Sequence, residues 1–182
     1  SDRISLVNAY VSDIETTEFV SEIVDGTAIK RVVESSAEAP TYTLPHIVKK
    51  CGYCMEQLAL VKVDTDGYDA DCIFSMGEAL HKLSPVLYWE NQIDENTQHE
   101  KYTRMGEFLE QSGYHNFFIF DNYGNYICQT KLKGYIEIND YLKRILNKKS
   151  TRSFAYVDVL AAKDCDVDIC SKTIKNYLQQ YG

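Results

Sequence analysis

Three things are missing from this sequence, and each removes a class of function. No stretch approaches the roughly 20 apolar residues that a membrane-spanning helix requires, and the N-terminus lacks the charged-then-apolar layout of a secretory signal. A cytoplasmic chain with no membrane span is the expectation. Basic residues are also short: 19 Lys and Arg stand against 27 Asp and Glu, a formal charge of -8. The densest basic spot, Lys148-Lys149 with Arg152, is too small to track a phosphate backbone, so no nucleic-acid partner is expected. Finally, no G-x-G follows a strand, and the four histidines (His46, His81, His99, His115) form neither H-x-x-H nor H-E-x-x-H. The sequence therefore carries no glycine-rich cofactor loop and no histidine-based metal motif.

What is present describes a globular domain. At 182 residues with 45% apolar content, 14 Tyr and 7 Phe, the chain can bury the core of one domain. Six cysteines (Cys51, Cys54, Cys72, Cys128, Cys165, Cys170) would suit disulfides outside the cell, yet three of them fall inside strand or helix patterns, as small hydrophobes do. All six read as reduced thiols. Cys51-Gly52-Tyr53-Cys54 has the spacing of a redox pair, but such a pair should follow a buried strand and open a long helix. Here Ile47-Val48-Lys49-Lys50 precede it on a helical pattern and the strand comes afterwards. A thiol redox protein is therefore a distant alternative, and Cys165 with Cys170 lack the further ligands of a zinc site.

The chain is organised around Leu60-Val61-Lys62-Val63-Asp64-Thr65-Asp66-Gly67-Tyr68-Asp69. An apolar run that stops on two acids and a glycine reads as a buried strand ending at a loop, with Val61 and Val63 supplying β-branched stiffness. From Asp71 to Leu83 the period becomes helical, placing Cys72, Ile73, Met76, Leu80 and Leu83 on one face. Ligands of open α/β sheets bind beyond the carboxyl ends of parallel strands, which puts Asp64 and Asp66 where chemistry is usually built. Capping of the following helix by Asp66 and Asp69 is the competing explanation.

Taken in order, Ile4–Val7 reads as a short strand and Thr16–Val33 as a hairpin turning at Asp25-Gly26. Pro45 opens a short helix that Gly52 stops. Val86–Trp89 is the next strand, ended by Glu90-Asn91, and the polar run Asn91–His99 is expected as a loop over a pocket. A helix from about Glu100 to Gly113 buries Tyr102, Met105, Phe108 and Leu109. Phe117–Asp121 and Tyr126–Thr130 flank Asn122-Tyr123-Gly124-Asn125 as an antiparallel hairpin. Ile138, Tyr141, Leu142, Ile145 and Leu146 form a helical stripe, Phe154–Ala161 is a last strand, and Ile169–Tyr181 is a helix with Ile174, Tyr177 and Leu178 inward. Strands alternating with helices and ending in antiparallel pieces give a three-layer α/β sheet.

Several of these segments carry a resemblance. Val61 to Asp69 resembles the K-I-D-x-E-G-x-E segment of the FkbM-type methyltransferases, S-adenosylmethionine-dependent enzymes of the Rossmann-like class. Ile4 to Asp13 is similar to that family's strand ending in an A-x-S-D-like turn, and Tyr42-Thr43-Leu44 to the start of its T-L-D-D segment. Pro85 to Glu90 resembles its strand closing on Glu, and Gly113-Tyr114 with Phe118 to Asn122 resembles its G-Y turn and following strand. Order and spacing agree over about residues 4 to 162.

The resemblance implies an α/β, Rossmann-like class I methyltransferase sheet of three αβα layers over residues 1–162, with 163–182 as a helical tail. It also implies that the chain is the carboxyl-terminal part of a longer enzyme, because the family's glycine-rich first loop and ribose-binding acid are not found in it. S-adenosylmethionine is the implied cofactor, and a hydroxyl of a sugar or small metabolite the implied acceptor. Asn8 and Ala9 become neighbours of the adenine, while Asp64 and Gly67 stand beside the transferring methyl. Asp64 and Asp66 would orient or deprotonate the acceptor, although Asp66 stands where the family has the longer Glu, and Pro45-His46 stand where it has acids after Thr-Leu. His99, in the expected loop after Glu90, is a further candidate general base. Right-handed crossovers would bring Asp64, Asp66, Asn8 and Glu90 to one sheet edge around one cleft, with Asp64 on a central strand. The alternative from another class is a non-catalytic α/β interaction module that lost the cofactor loop. Oligomeric state is left open by the sequence.

Overall fold

The computed structural model describes residues 4–13, 19–24, 27–32, 39–93, 96–147 and 156–181. Its strands are β1 (Tyr10–Val11), β2 (Phe19–Val24), β3 (Thr27–Val32), β4 (Thr41–Tyr42), β5 (Leu60–Val63), β6 (Val86–Gln92), β7 (Asn116–Asp121), β8 (Tyr126–Thr130) and β9 (Tyr156–Ala162). The helices are α1 (Leu44–Lys50), α2 (Asp69–Phe74), α3 (Ala79–Lys82), α4 (Asn96–Gln111), α5 (Leu132–Asn147) and α6 (Val167–Tyr181).

Five strands form the main sheet in the order β5-β6-β9-β7-β8. β5 and β6 run parallel, as a strand pair joined by a helical crossover should, and every other neighbouring pair is antiparallel. The result is a mixed α/β fold with helices flanking the sheet, compatible with three layers.

Alternation along the strands assigns the faces. Leu87, Trp89 and Asn91 of β6, with Val157, Val159 and Ala161 of β9, are buried on one side. Against them pack Ile73, Met76 and Leu80, Tyr102, Met105 and Leu109 of α4, and Tyr135 and Leu142 of α5. Each such side chain contributes about 1.5–3 kcal/mol by leaving water. The opposite face is covered in part by α6, whose Cys170 and Ile174 pack on Phe118 and Ala162, with Val86, Phe120 and Leu160 beside them.

Helices α4 and α5 meet at a glycine. A β-carbon on Gly106 would lie 2.7 Å from the Tyr135 ring and 3.0 Å from Leu132. The ring cannot step aside, because it is fully buried and stacked on Phe117 at 4.9 Å. Gly106→Ala is therefore expected to destabilise by about 1 kcal/mol, an overpacking cost exceeding the gain in helix propensity. A urea melt showing the alanine variant equal to or above wild type would contradict this packing.

Several expectations change in the folded chain. Ile4–Val7 is irregular, with Ile4 and Leu6 at 83% and 95% exposure. No described strand pairs with this run, and only Tyr10–Val11 pairs, with Thr41–Tyr42 in a separate parallel pair. Among the described residues β5 is an edge strand, not a central one. The helix expected from Asp71 to Leu83 is broken into α2 and α3, since Gly77 at φ +51° leaves the helical region. β6 runs on to Gln92 because β9 pairs with it as far as that residue, and α4 begins at Asn96, which removes most of the loop expected over Asn91–His99. Tyr141 of α5 is 46% exposed, and in α6 Ile174 packs inward as expected, joined by Cys170, while Tyr177 and Leu178 are exposed at 46% and 38%.

Other expectations stand. The Thr16–Val33 region pairs as the antiparallel β2–β3, its turn at Asp25-Gly26 lying outside the described residues. α1 follows its signals, with Thr43 accepting a hydrogen bond from the His46 backbone and Gly52 at φ +81° after it. The β7–β8 hairpin is tied by the Asp121 carboxylate, which accepts from the Tyr123 and Asn125 backbones and the Asn125 side chain. β9 begins at Tyr156, and Phe154 lies outside the described residues.

Candidate functional site

On the face that α6 covers only in part, a cleft of about 170 Å³ opens across β5, β6 and β9. It is lined by Lys62, Val63, Asp64, Tyr88, Glu90, Tyr156 and Asp158. The period of two along each strand puts these side chains on one face: Lys62 and Asp64 flank buried Val63, Tyr88 and Glu90 flank buried Trp89, and Tyr156 and Asp158 flank buried Val157. Register then brings them abreast. Val63 pairs with Trp89, so Asp64 follows β5 where Glu90 lies on β6, and Glu90 is the direct partner of Asp158. Asp64 and Glu90 thus share the carboxyl-end edge of the parallel pair.

The electrostatics are those of crowded acids. Burial, reinforced by the charges of Asp64, Asp69, Asp158 and Asp66, pushes the Glu90 carboxyl up to about 7. Burial also raises Asp158, against a hydrogen bond from Tyr88 that lowers it. The Tyr88 phenol is held well above its ordinary range by burial and by Asp158. Lys62, the cation of the cleft lining, donates to Asp64 Oδ2 at 2.7 Å and is raised by that contact.

Behind the cleft, the turn after β5 is fixed by structural groups. Asp66 adopts φ +50° and Gly67 φ +94°, and a β-carbon on Gly67 would strike the Gln98 side chain. Asp69 opens α2 fully buried, where its Oδ2 accepts from the Thr65 hydroxyl at 3.1 Å. The Tyr102 hydroxyl donates to the Glu90 carbonyl at 3.1 Å and lies 3.5 Å from the same Asp69 oxygen. Asp69 therefore braces the turn against β6, and burial holds its carboxyl above the ordinary range.

Of the residues singled out from sequence, Asp64 lines the cleft and Glu90 joins it. Asp66 is exposed on the turn, and Gly67 serves the backbone. His99 is not on a loop over the cleft: it sits in α4 with Nε2 2.8 Å from Asp140 and Nδ1 3.5 Å from Lys143, both on α5. Asn8 and Ala9 end no sheet strand, but precede β1 in irregular chain. Val11, at the end of β1, lines a second cavity of about 290 Å³ with Leu44, Val61, Cys72 and Thr65, which shares Lys62, Val63 and Asp64 with the first. Tyr88, Tyr156 and Asp158 were not anticipated. Their signal was present, since Tyr88-Trp89-Glu90 and Tyr156-Val157-Asp158 repeat aromatic-x-acid on two strands.

The donor set of the cleft suits a cation: three carboxylates and two phenols face one ammonium that is already paired. Asn8 and Ala9 are not among the cleft residues. Among the described residues no group of three or more His, Cys, Asp or Glu is arranged to hold a metal ion. No described helix is long and apolar enough to cross a membrane. No protein-family model matches the sequence, and no curated protein and no solved structure matches it.

Proposed function

We propose that this chain acts within an S-adenosylmethionine-dependent methyltransferase of the FkbM type, with a hydroxyl of a sugar or small metabolite as acceptor. The observation that carries this reading is the meeting of Asp64 and Glu90 at the carboxyl ends of the parallel strands β5 and β6, in one cleft. On this reading the five-stranded sheet is the carboxyl-terminal portion of a Rossmann-like sheet, with β7 running in the direction of β5 and β6 and with β8 and β9 running opposite to them. The cofactor, when bound, supplies an electrophilic methyl on a positively charged sulfur. Asp64 favours that charge and orients the acceptor hydroxyl beside it, and such positioning supplies much of the rate in this chemistry.

With the glycine-rich loop not in this sequence, affinity for the cofactor should be weak, roughly 0.1–1 mM. An ¹⁵N-labelled sample titrated with S-adenosylmethionine should show amide shifts concentrated at Val63–Gly67 and Tyr88–Glu90. Shifts scattered elsewhere would remove the reading, and micromolar affinity would show that the glycine-rich loop is not what this chain lacks.

A second reading, a non-catalytic α/β interaction module, is favoured by one specific contact. Asp64 is held by Lys62 in an exposed ion pair, with both side chains more than half accessible, as a structural surface acid would be. Lys62→Ala separates the two: it strengthens cofactor binding if Asp64 serves the sulfonium, and changes nothing at the cleft if Asp64 is merely solvated.

A further inference from the structure

We propose that Glu90 is the proton-accepting catalytic residue of this cleft, and that Asp158 is a positioning residue acting through it. The inference rests on the methyltransferase reading for the reaction it serves, and on geometry for the choice of residue. Glu90 stands on the middle strand of the three that form the cleft, between Asp64 at the end of β5 and its register partner Asp158 on β9.

The other candidates are each committed elsewhere. Asp64 accepts from Lys62 at 2.7 Å, the Tyr88 phenol beside Asp158 favours the charged form of that carboxylate, Asp66 is exposed on the turn, and His99 faces Asp140 and Lys143 of α5. No hydrogen bond or ion pair to the Glu90 carboxylate is found among the described residues. A carboxylate with both oxygens open to a cleft, and with a proton affinity matched to neutral pH, is what a general base requires.

The surroundings supply that match. Lys62 and Asp64 face Glu90 from β5, Asp66 from the turn, Asp69 from α2, Tyr88 from its own strand, and Tyr156 and Asp158 from β9. Acids outnumber the one cation, and partial burial strengthens their effect, so Glu90 takes up a proton far more readily than a solvated glutamate. In the step itself the acceptor O–H bond breaks and the proton passes to a Glu90 carboxylate oxygen. The electron pair left on the acceptor oxygen forms its bond to the methyl carbon while the methyl–sulfur bond breaks and its pair stays on the sulfur, leaving a neutral thioether. Glu90 then releases the proton to water.

The test uses the whole chain labelled with ¹³C at glutamate carboxyls, as wild type, Glu90→Gln and Asp158→Asn. One carboxyl should titrate near 7 rather than near the ordinary 4.5, should vanish in Glu90→Gln, and should move lower in Asp158→Asn. In a methyl-transfer assay at saturating cofactor, Glu90→Gln should lose about 10²–10⁴-fold in kcat with little change in acceptor KM, and Asp158→Asn should shift the acidic limb of the pH–rate profile downward. A Glu90 midpoint in the ordinary range, a midpoint indifferent to Asp158→Asn, or full turnover by Glu90→Gln would each overturn the proposal. If the cofactor's amide shifts fall away from Val63–Gly67 while the near-neutral midpoint and its Asp158 dependence stand, the methyltransferase reading alone fails, and Glu90 is kept as the proton acceptor of the cleft.

Discussion

Replacing Asn91 by alanine is expected to cost about 3–5 kcal/mol, more than any other single polar change in the sheet. Asn91 is fully buried on β6 and joins three partners: its Oδ1 accepts from Trp89 Nε1 at 3.2 Å and from the Tyr135 hydroxyl at 2.7 Å, and its Nδ2 donates to Asn139 Oδ1 at 2.8 Å. Removing the amide strands two donors and one acceptor where water does not reach, at about 1–3 kcal/mol for each group left unsatisfied. Part of this is recovered, because the Tyr135 hydroxyl also lies 3.4 Å from the Tyr102 carbonyl. For a chain of this size the loss corresponds to a fall in Tm of roughly 10 °C. Asn139→Ala should cost much less, since its Nδ2 already lacks a partner among the described residues and truncation removes that buried donor. A thermal melt ranking Asn139→Ala as the more damaging change would show that the network is not centred on Asn91. Because Asn91 follows Glu90 on β6, the same network sets the strand position from which Glu90 enters the cleft.

Thermal stability should rise as the pH falls from 8 toward 5, opposite to the trend set by carboxylates that are ion-paired in the folded state. Glu90 is pushed up to about 7 from an ordinary 4.5, chiefly by burial. The folded state therefore binds more protons than the unfolded state between those two values, and stability declines with rising pH across that window. The contribution is fully present below about 4.5 and lost as the pH passes through about 7. Asp69 and Asp158, also raised by burial, act in the same direction. The full shift would be worth about 3 kcal/mol, but Glu90 is partly solvated, and screening reduces this to roughly 1–2 kcal/mol. Asp121, lowered mainly by its hydrogen bond from Asn125, works the other way, but only below its ordinary 3.8. Glu90→Gln should raise stability at pH 8 by a similar roughly 1–2 kcal/mol and flatten the profile. Melts at pH 5 and pH 8 with the same midpoint in wild type would refute the crowding of acids in the cleft.

Local pattern was enough for most of the elements, because burial on one face writes a period into the sequence. Val61 and Val63 alternate with Lys62, Trp89 alternates with Tyr88 and Glu90, and β5, the start of β6, the β7–β8 hairpin and the α1 boundaries follow from such spacing and from Pro45 and Gly52. The acid-rich end of β5 was also legible, since Asp64-Thr65-Asp66-Gly67 interrupts an apolar run. Which of its acids meet others in space was not. Asp64 and Asp66 are two residues apart, yet a positive φ at Asp66 sends it to solvent while Asp64 stays on the cleft face. Asp158 lies far along the chain from Glu90, and only the antiparallel entry of β9 beside β6 makes them neighbours. His99 looked like a loop residue until β6 lengthened by pairing with β9 and α4 started early, which turned its ring toward Asp140. Ile4–Val7 has the composition of a strand without a described neighbour to pair with, and a strand is stable only through that pairing. The sequence by itself determined where β5, α1 and the β7–β8 hairpin fall and that acids follow β5, because side-chain period and turn chemistry are local. The tertiary structure alone decided the order β5-β6-β9-β7-β8, and with it the crowding that sets Glu90 apart, because proton affinity depends on burial and on charges brought in from distant strands.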